Sequence, residues 1–203
     1  MGKISHFVKK DGILITTAAS PTGFISNIIR RFLGNLITNN ALSFKEKVII
    51  LNKAFSSHLN TLKNMSCPHL DWIKDVLINP GFLTIHPTPK MIFNDISKDF
   101  NFYNSYPAFQ TDWRWYKDFY GNKKNIKKNF LENYYKNSHN FFNYKRVYEI
   151  KDSKFNSELE YKSNSLLNLL IKYEKKKNKA NYQLFLKKII EILGLLKKIN
   201  HFE

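Results

Sequence analysis

Apolar residues along the chain recur mostly at helical spacing. Ile25, Ile28, Ile29, Phe32, Leu33 and Leu36 fall three or four apart, which predicts an amphipathic helix from Ile25 to Leu36. Ser43 followed by Glu46 at the third position is a capping-box pattern, and the helix it opens carries Val48, Leu51, Phe55, Leu59 and Leu62 on one stripe. Pro68 begins another helix through Ile78, stopped by Asn79-Pro80-Gly81. His86-Pro87-Thr88-Pro89 must be irregular, because each proline pushes its predecessor out of the helical region. Met91 to Ile96 allows a helical turn or two, and from Asn125 onward Ile126, Phe130, Tyr134 and Phe141 mark one helical face. Two leucine- and isoleucine-rich runs, Ser157 to Lys176 and Asn181 to Ile199, read as a helical hairpin around Lys175-Lys176-Lys177-Asn178-Lys179.

One stretch breaks the period. Ile13-Leu14-Ile15-Thr16-Thr17-Ala18-Ala19 is apolar, β-branched and uncharged, entered from Gly12 and left at Ser20-Pro21-Thr22-Gly23. It reads as a fully buried parallel strand. Asn101 to Ser105 reads as a short edge strand. A buried strand needs neighbours on both edges, and too little strand pattern follows to supply them. The sequence therefore implies a truncated sheet or a strand completed by another polypeptide.

Composition adds a core and a charge. With 17 Phe, 11 Tyr and 3 Trp among 203 residues, the chain can bury a conventional core. Lys and Arg number 33 against 16 Asp and Glu, a net +17 that favours nucleic acid, anionic membranes or acidic proteins as partners. Only Arg30, Arg31, Arg114 and Arg146 are arginines, and the abundance of Lys and Asn also fits a compositional drift. Cys67 is alone, so neither an internal disulfide nor a thiolate metal site is expected. The opening residues lack a secretion-signal pattern and no run reaches the length of a membrane span, which points to a cytoplasmic protein.

No complete catalytic, cofactor-binding or metal-binding constellation emerges. The most unusual local chemistry is Thr111-Asp112-Trp113-Arg114-Trp115-Tyr116-Lys117-Asp118. Asp112 and Arg114 there suit a polar or acidic substrate and Trp113 or Trp115 a stacked ring, or the same aromatics pack a core edge. His69, Asp71 and Asp75 lie close on one predicted helix, compatible with metal ligation or with simple exposure. Tyr134 and Tyr135 with Lys127, Lys128 and Lys136, and Phe141 and Phe142 with Lys145 and Arg146, interleave rings with positive charge. That pattern fits a nucleic-acid surface of stacking and phosphate contacts, with Lys127, Lys128 and Arg146 as its cations.

Lys9-Lys10-Asp11-Gly12 and the apolar run ending in Thr16-Thr17 resemble the late strand of a class I S-adenosylmethionine-dependent methyltransferase, with Asp11-Gly12 departing from the family's double glycine. Cys67-Pro68-His69-Leu70-Asp71-Trp72 and Phe102-Tyr103-Asn104-Ser105-Tyr106-Pro107 resemble a poorly characterised bacterial subfamily. The resemblance implies an α/β remnant: mostly α-helical, with one or few strands of an incomplete Rossmann-like methyltransferase sheet and a C-terminal helical hairpin. It divides the chain into residues 1–148, the late part of such a domain with a helical cap, and 149–203, a helical extension. It further implies a partial or split enzyme, not catalytic alone, with Asp112, Trp113, Arg114 and Trp115 in a substrate cap. S-adenosylmethionine would be bound by a separately encoded half, not by this chain; a homo-oligomer is the other partner reading. The alternative reading is a non-enzymatic basic helical interaction or nucleic-acid-binding protein.

Overall fold

The structure is a computed structural model that describes residues 5–62, 65, 67–83, 87–101, 105, 123–143 and 148–199. Its regular elements are helices: α1 (Pro21–Ile37), α2 (Phe44–Asn60), α3 (His69–Trp72, continued by π-helical turns over Ile73–Ile78), α4 (Pro89–Ile96), α5 (Lys123–Asn137), α6 (Ser153–Lys175) and α7 (Lys179–Leu196), with 3-10 turns at Ser5–Phe7, Pro80–Leu83 and Ser138–Phe142.

Local chemistry explains the helix starts. Ser43 caps α2 with the expected box, its Oγ accepting the Glu46 N–H while Glu46 Oε2 accepts the Ser43 N–H at 2.7 Å. The Ser43 hydroxyl, which donates to Glu46 Oε2 at 2.6 Å, and then the Ser43 N–H hold the Glu46 carboxyl below its ordinary pKa. Thr88 caps α4 by accepting the Met91 N–H, with Pro89 in the first turn, where its missing N–H costs nothing. Asp152 and Asn178 accept the N–H groups of Phe155 and Asn181 at the entrances to α6 and α7.

The chain divides into two compact units, and α1, α6 and α7 contribute residues to both. One comprises Met1–Phe24, His86–Ser163 and Glu191–Glu203. Its interior holds Phe93 stacked on Phe130 at 5.0 Å, and Tyr134, Leu159 and Ile192. The other comprises Ile25–Ile85 and Asn164–Ile190. Its core joins Leu51, Phe55 and Leu59 of α2 to Ile73 and Leu77, and Phe32 of α1 to Tyr173 of α6 and Phe185 of α7.

The expected strand does not form. No strand is present among the described residues, and residues 12–20 are irregular. Ile13 and Ile15 are 78% and 88% exposed, so the run that reads as a sheet interior lies on the surface. An apolar β-branched run becomes a strand only where a ladder accepts it, and nothing among the described residues supplies one. This overturns the α/β-remnant fold class, the incomplete Rossmann-like methyltransferase sheet and, with them, the reading as a partial S-adenosylmethionine-dependent methyltransferase. Of the suggested edge strand, Asn101 and Ser105 are irregular and residues 102–104 lie outside the described residues.

Candidate functional site

Among the described residues, those singled out for chemistry do not assemble into a centre. Asp112, Trp113, Arg114, Trp115 and Arg146 lie outside the described residues, as does His86. Lys127 and Lys128 occupy adjacent backbone positions on α5. Asp71 is exposed and takes a salt bridge from Lys74 at 3.0 Å, the ordinary fate of a surface carboxylate one helical turn from a lysine. No group of three or more His, Cys, Asp or Glu side chains able to hold a metal ion occurs among the described residues.

Tyr134 is fully buried, so it is not a stacking surface; its hydroxyl donates to Glu160 Oε2 at 3.0 Å. Burial raises the pKa of both groups, with the Glu160 charge adding to the effect on Tyr134. Tyr135 rises to about 12 for the same two reasons, while the Lys90 ammonium lies 5.8 Å from its ring centre. Because the folded Glu160 holds its proton above the unfolded pKa, its contribution to stability is present in acid and lost as pH rises through the folded value. Glu160→Gln keeps an acceptor for Tyr134 and removes that charge. Its thermal midpoint should exceed the wild type's by a few degrees at pH 8 and match it at pH 4, as read by circular dichroism.

His139 has the opposite sign. It is fully buried, with Nε2 2.9 Å from the Glu149 carbonyl and Nδ1 3.2 Å from Asn156 Oδ1. Those acceptors favour the cation, but desolvation outweighs them and lowers the pKa. Between the folded value and about 6.5 the unfolded chain takes up a proton that the folded chain does not, so stability falls as pH drops through that window. His58 adds to the effect: burial first and the Arg30 guanidinium second lower its pKa. Arg30 Nε donates to His58 Nε2 at 2.9 Å, a bond available only to the neutral ring. The urea midpoint should therefore drop on going from pH 7 to pH 5.5, and the drop should shrink in His139→Gln.

What the second unit displays is an apolar surface. On α1, Leu33, Leu36 and Ile37 are 45%, 44% and 48% exposed, although Leu33 and Leu36 belong to the stripe that sequence periodicity assigns to the core. On α7, Leu186 and Ile190 are 36% and 69% exposed, although hairpin packing predicts their burial. The helices touch: Phe32 stacks on Phe185 at 4.0 Å and meets Tyr182 at 5.7 Å. Leu33 and Leu186 each follow a member of that stack and so lie about 100° further round their helices. Arg31 bonds Glu174 while Lys177 bonds the carbonyls of Asn35 and Thr38, so α6 runs along α1 and α7 returns antiparallel to it. In antiparallel neighbours, equal rotations from the contact open on the same side. The two stripes thus form one face.

The border of that face is basic. α1 contributes Arg30 and no acidic residue to that border, its other arginine, Arg31, being buried against Glu174. α7 contains Lys179, Lys187 and Lys188 with a single acid, Glu191, which accepts from Lys162 at 3.0 Å.

No protein-family model matches the chain, and no curated protein or solved structure matches it. The resemblance to class I methyltransferases therefore finds no support in either fold or relatives. No helix among the described residues is long and apolar enough to cross a membrane.

The exposed stripe had a sequence signal. The apolar positions of α7 occupy more of the helix circumference than one packed side uses: Phe185 and Ile192 are buried while Leu186 and Ile190 are not.

Proposed function

We propose that this is a non-enzymatic helical interaction protein whose α1–α7 face receives an amphipathic helix bordered by carboxylates. The observation that carries the reading is the shared exposed stripe of Leu33, Leu36, Leu186 and Ile190, which leaves contiguous apolar side chains in water on two packed helices. Helix-in-groove recognition uses anchors at such spacings, and leucine and isoleucine have no natural counterpart on a phosphate backbone. The border selects the sign of the partner. A second copy brings another +17 to the contact, whereas an acidic helix is drawn to it.

The test is fluorescence anisotropy with a labelled peptide helix bearing Leu at positions one, four, five and eight and Glu on both flanks. Saturable binding should weaken as salt rises, because Lys179 and Lys187 are solvent-exposed. Ile190→Asn, which places an unsatisfied amide beneath the anchor, should weaken it by at least about tenfold. Absence of binding to this peptide would overturn the reading, as would binding indifferent to Ile190→Asn. Tight salt-dependent binding of an RNA oligomer, lost on replacing Lys127, Lys128 and Arg146, would instead select the nucleic-acid alternative.

A further inference from the structure

The run from Ile13 to Ala18 lies in the other unit and poses a separate question: its side chains are exposed, yet its ends are fastened. At one end the Gly12 N–H donates to the Lys9 carbonyl at 2.9 Å, and Asp11 sits at φ 64 in the left-handed region. A Cβ on Gly12 would fall 2.9 Å from both the Lys9 carbonyl oxygen and Val8 Cγ1, so the turn admits only glycine there. At the other end the Ala19 N–H donates to the Pro87 carbonyl at 2.9 Å, Ser20 is buried and α1 begins at Pro21. Between these anchors Ile13 and Ile15 stand 78% and 88% exposed, flanking a half-buried Leu14.

We infer that this segment is a pairing edge for a second copy of the chain, joined antiparallel across a two-fold axis. Four features favour that occupant. The run is uncharged from Gly12 through Ile29, so nothing in it repels its own image. Antiparallel pairing places Lys9 and Lys10 of the two copies at opposite ends of the ribbon, beyond a Debye length, whereas parallel pairing stacks them. The ladder is bounded, with lysines before it and Pro21 after it, which limits growth beyond a dimer. The β-branched composition fits a pleated partner.

The anchor at Ala19 also fixes which edge is open. Once the segment is drawn into a strand by pairing, its N–H groups would alternate, with Ile13, Ile15 and Thr17 on the edge that Ala19 turns to Pro87. Leu14, Thr16 and Ala18 form the other edge. The two-fold axis then falls at Thr16, with Leu14 facing Ala18 of the second copy. A ribbon this short makes a weak dimer. This surface is independent of the α1–α7 face, and its salt response has the opposite sign: screening of two like-charged copies strengthens self-association.

Sedimentation equilibrium of the full chain tests the pairing, at physiological salt and at about 0.5 M salt. The wild type should dimerise reversibly, more tightly at the higher salt. Thr16→Pro, which removes an N–H from the open edge, should weaken the dimer by about tenfold or more; Thr17→Pro removes one from the far edge and should leave it within about twofold. Both positions are exposed, so both variants should keep wild-type circular dichroism. A chain that stays monomeric, a dimer weakened by salt, or equal behaviour of the two proline variants would each overturn the inference.

Discussion

Arg31→Met should cost about 3–5 kcal/mol, because it strands the charge of a largely buried partner. Arg31 is 3% exposed, and every arm of its guanidinium is engaged. Nε and Nη2 donate to the two oxygens of Glu174 at 2.7 and 3.1 Å, while Nη1 donates to the Val76 and Asn79 carbonyls at 3.1 and 2.7 Å. Asn35 donates to the same carboxylate at 2.7 Å, and Phe82 lies beneath the guanidinium at 5.5 Å. One side chain thus ties α1 to α6 and satisfies carbonyls at the end of the π-helical turns. Arg31→Lys should recover only part of the loss, since an ammonium cannot reproduce the fork. Arg31→Met with Glu174→Met should be more stable than Arg31→Met alone, because no unpaired charge is left inside. Urea denaturation of these variants and of Glu174→Met alone measures all of this. Additive losses would contradict the coupling.

Phe32→Ala should cost a similar amount, about 3–5 kcal/mol, by emptying a site that three rings surround. Phe32 is 1% exposed and contacts Phe185, Tyr173 and Tyr182 at centroid distances of 4.0, 4.9 and 5.7 Å. The variant should also lose peptide binding, since the same stack holds the two exposed stripes side by side. Phe32→Leu, which keeps most of the volume, should lose less of both. The comparison matters because Leu36→Asn should do the reverse, leaving the denaturation midpoint nearly unchanged and weakening the peptide.

The helices were legible because their signals are local. Ser43 with Glu46 states the start of α2 within four residues, and Thr88-Pro89 does so for α4. The failure at Ile13 to Ala19 has a physical root. A continuous apolar run specifies exposure to neighbours, not the neighbours themselves, and strand formation depends on partners that no local window contains. The methyltransferase resemblance requires that run to be a sheet remnant, and the described residues possess no sheet. Arg31 was unreadable for a related reason: its carboxylate lies 143 residues away, so its sequence context shows only another basic residue on a helix. Leu33, Leu36, Leu186 and Ile190 have the right period for burial, and periodicity cannot tell a face that packs within the chain from one that awaits a partner.

The claim that α1 and α7 present a receiving face is tested most directly by methyl-labelled NMR of the leucines and isoleucines during titration with the acidic helical peptide. The account predicts saturable shifts at Leu33, Leu36, Leu186 and Ile190, diminished by salt, with Ile13 and Ile15 unmoved. Shifts confined to other methyls, or equal shifts with a peptide carrying Lys in place of Glu, would contradict it.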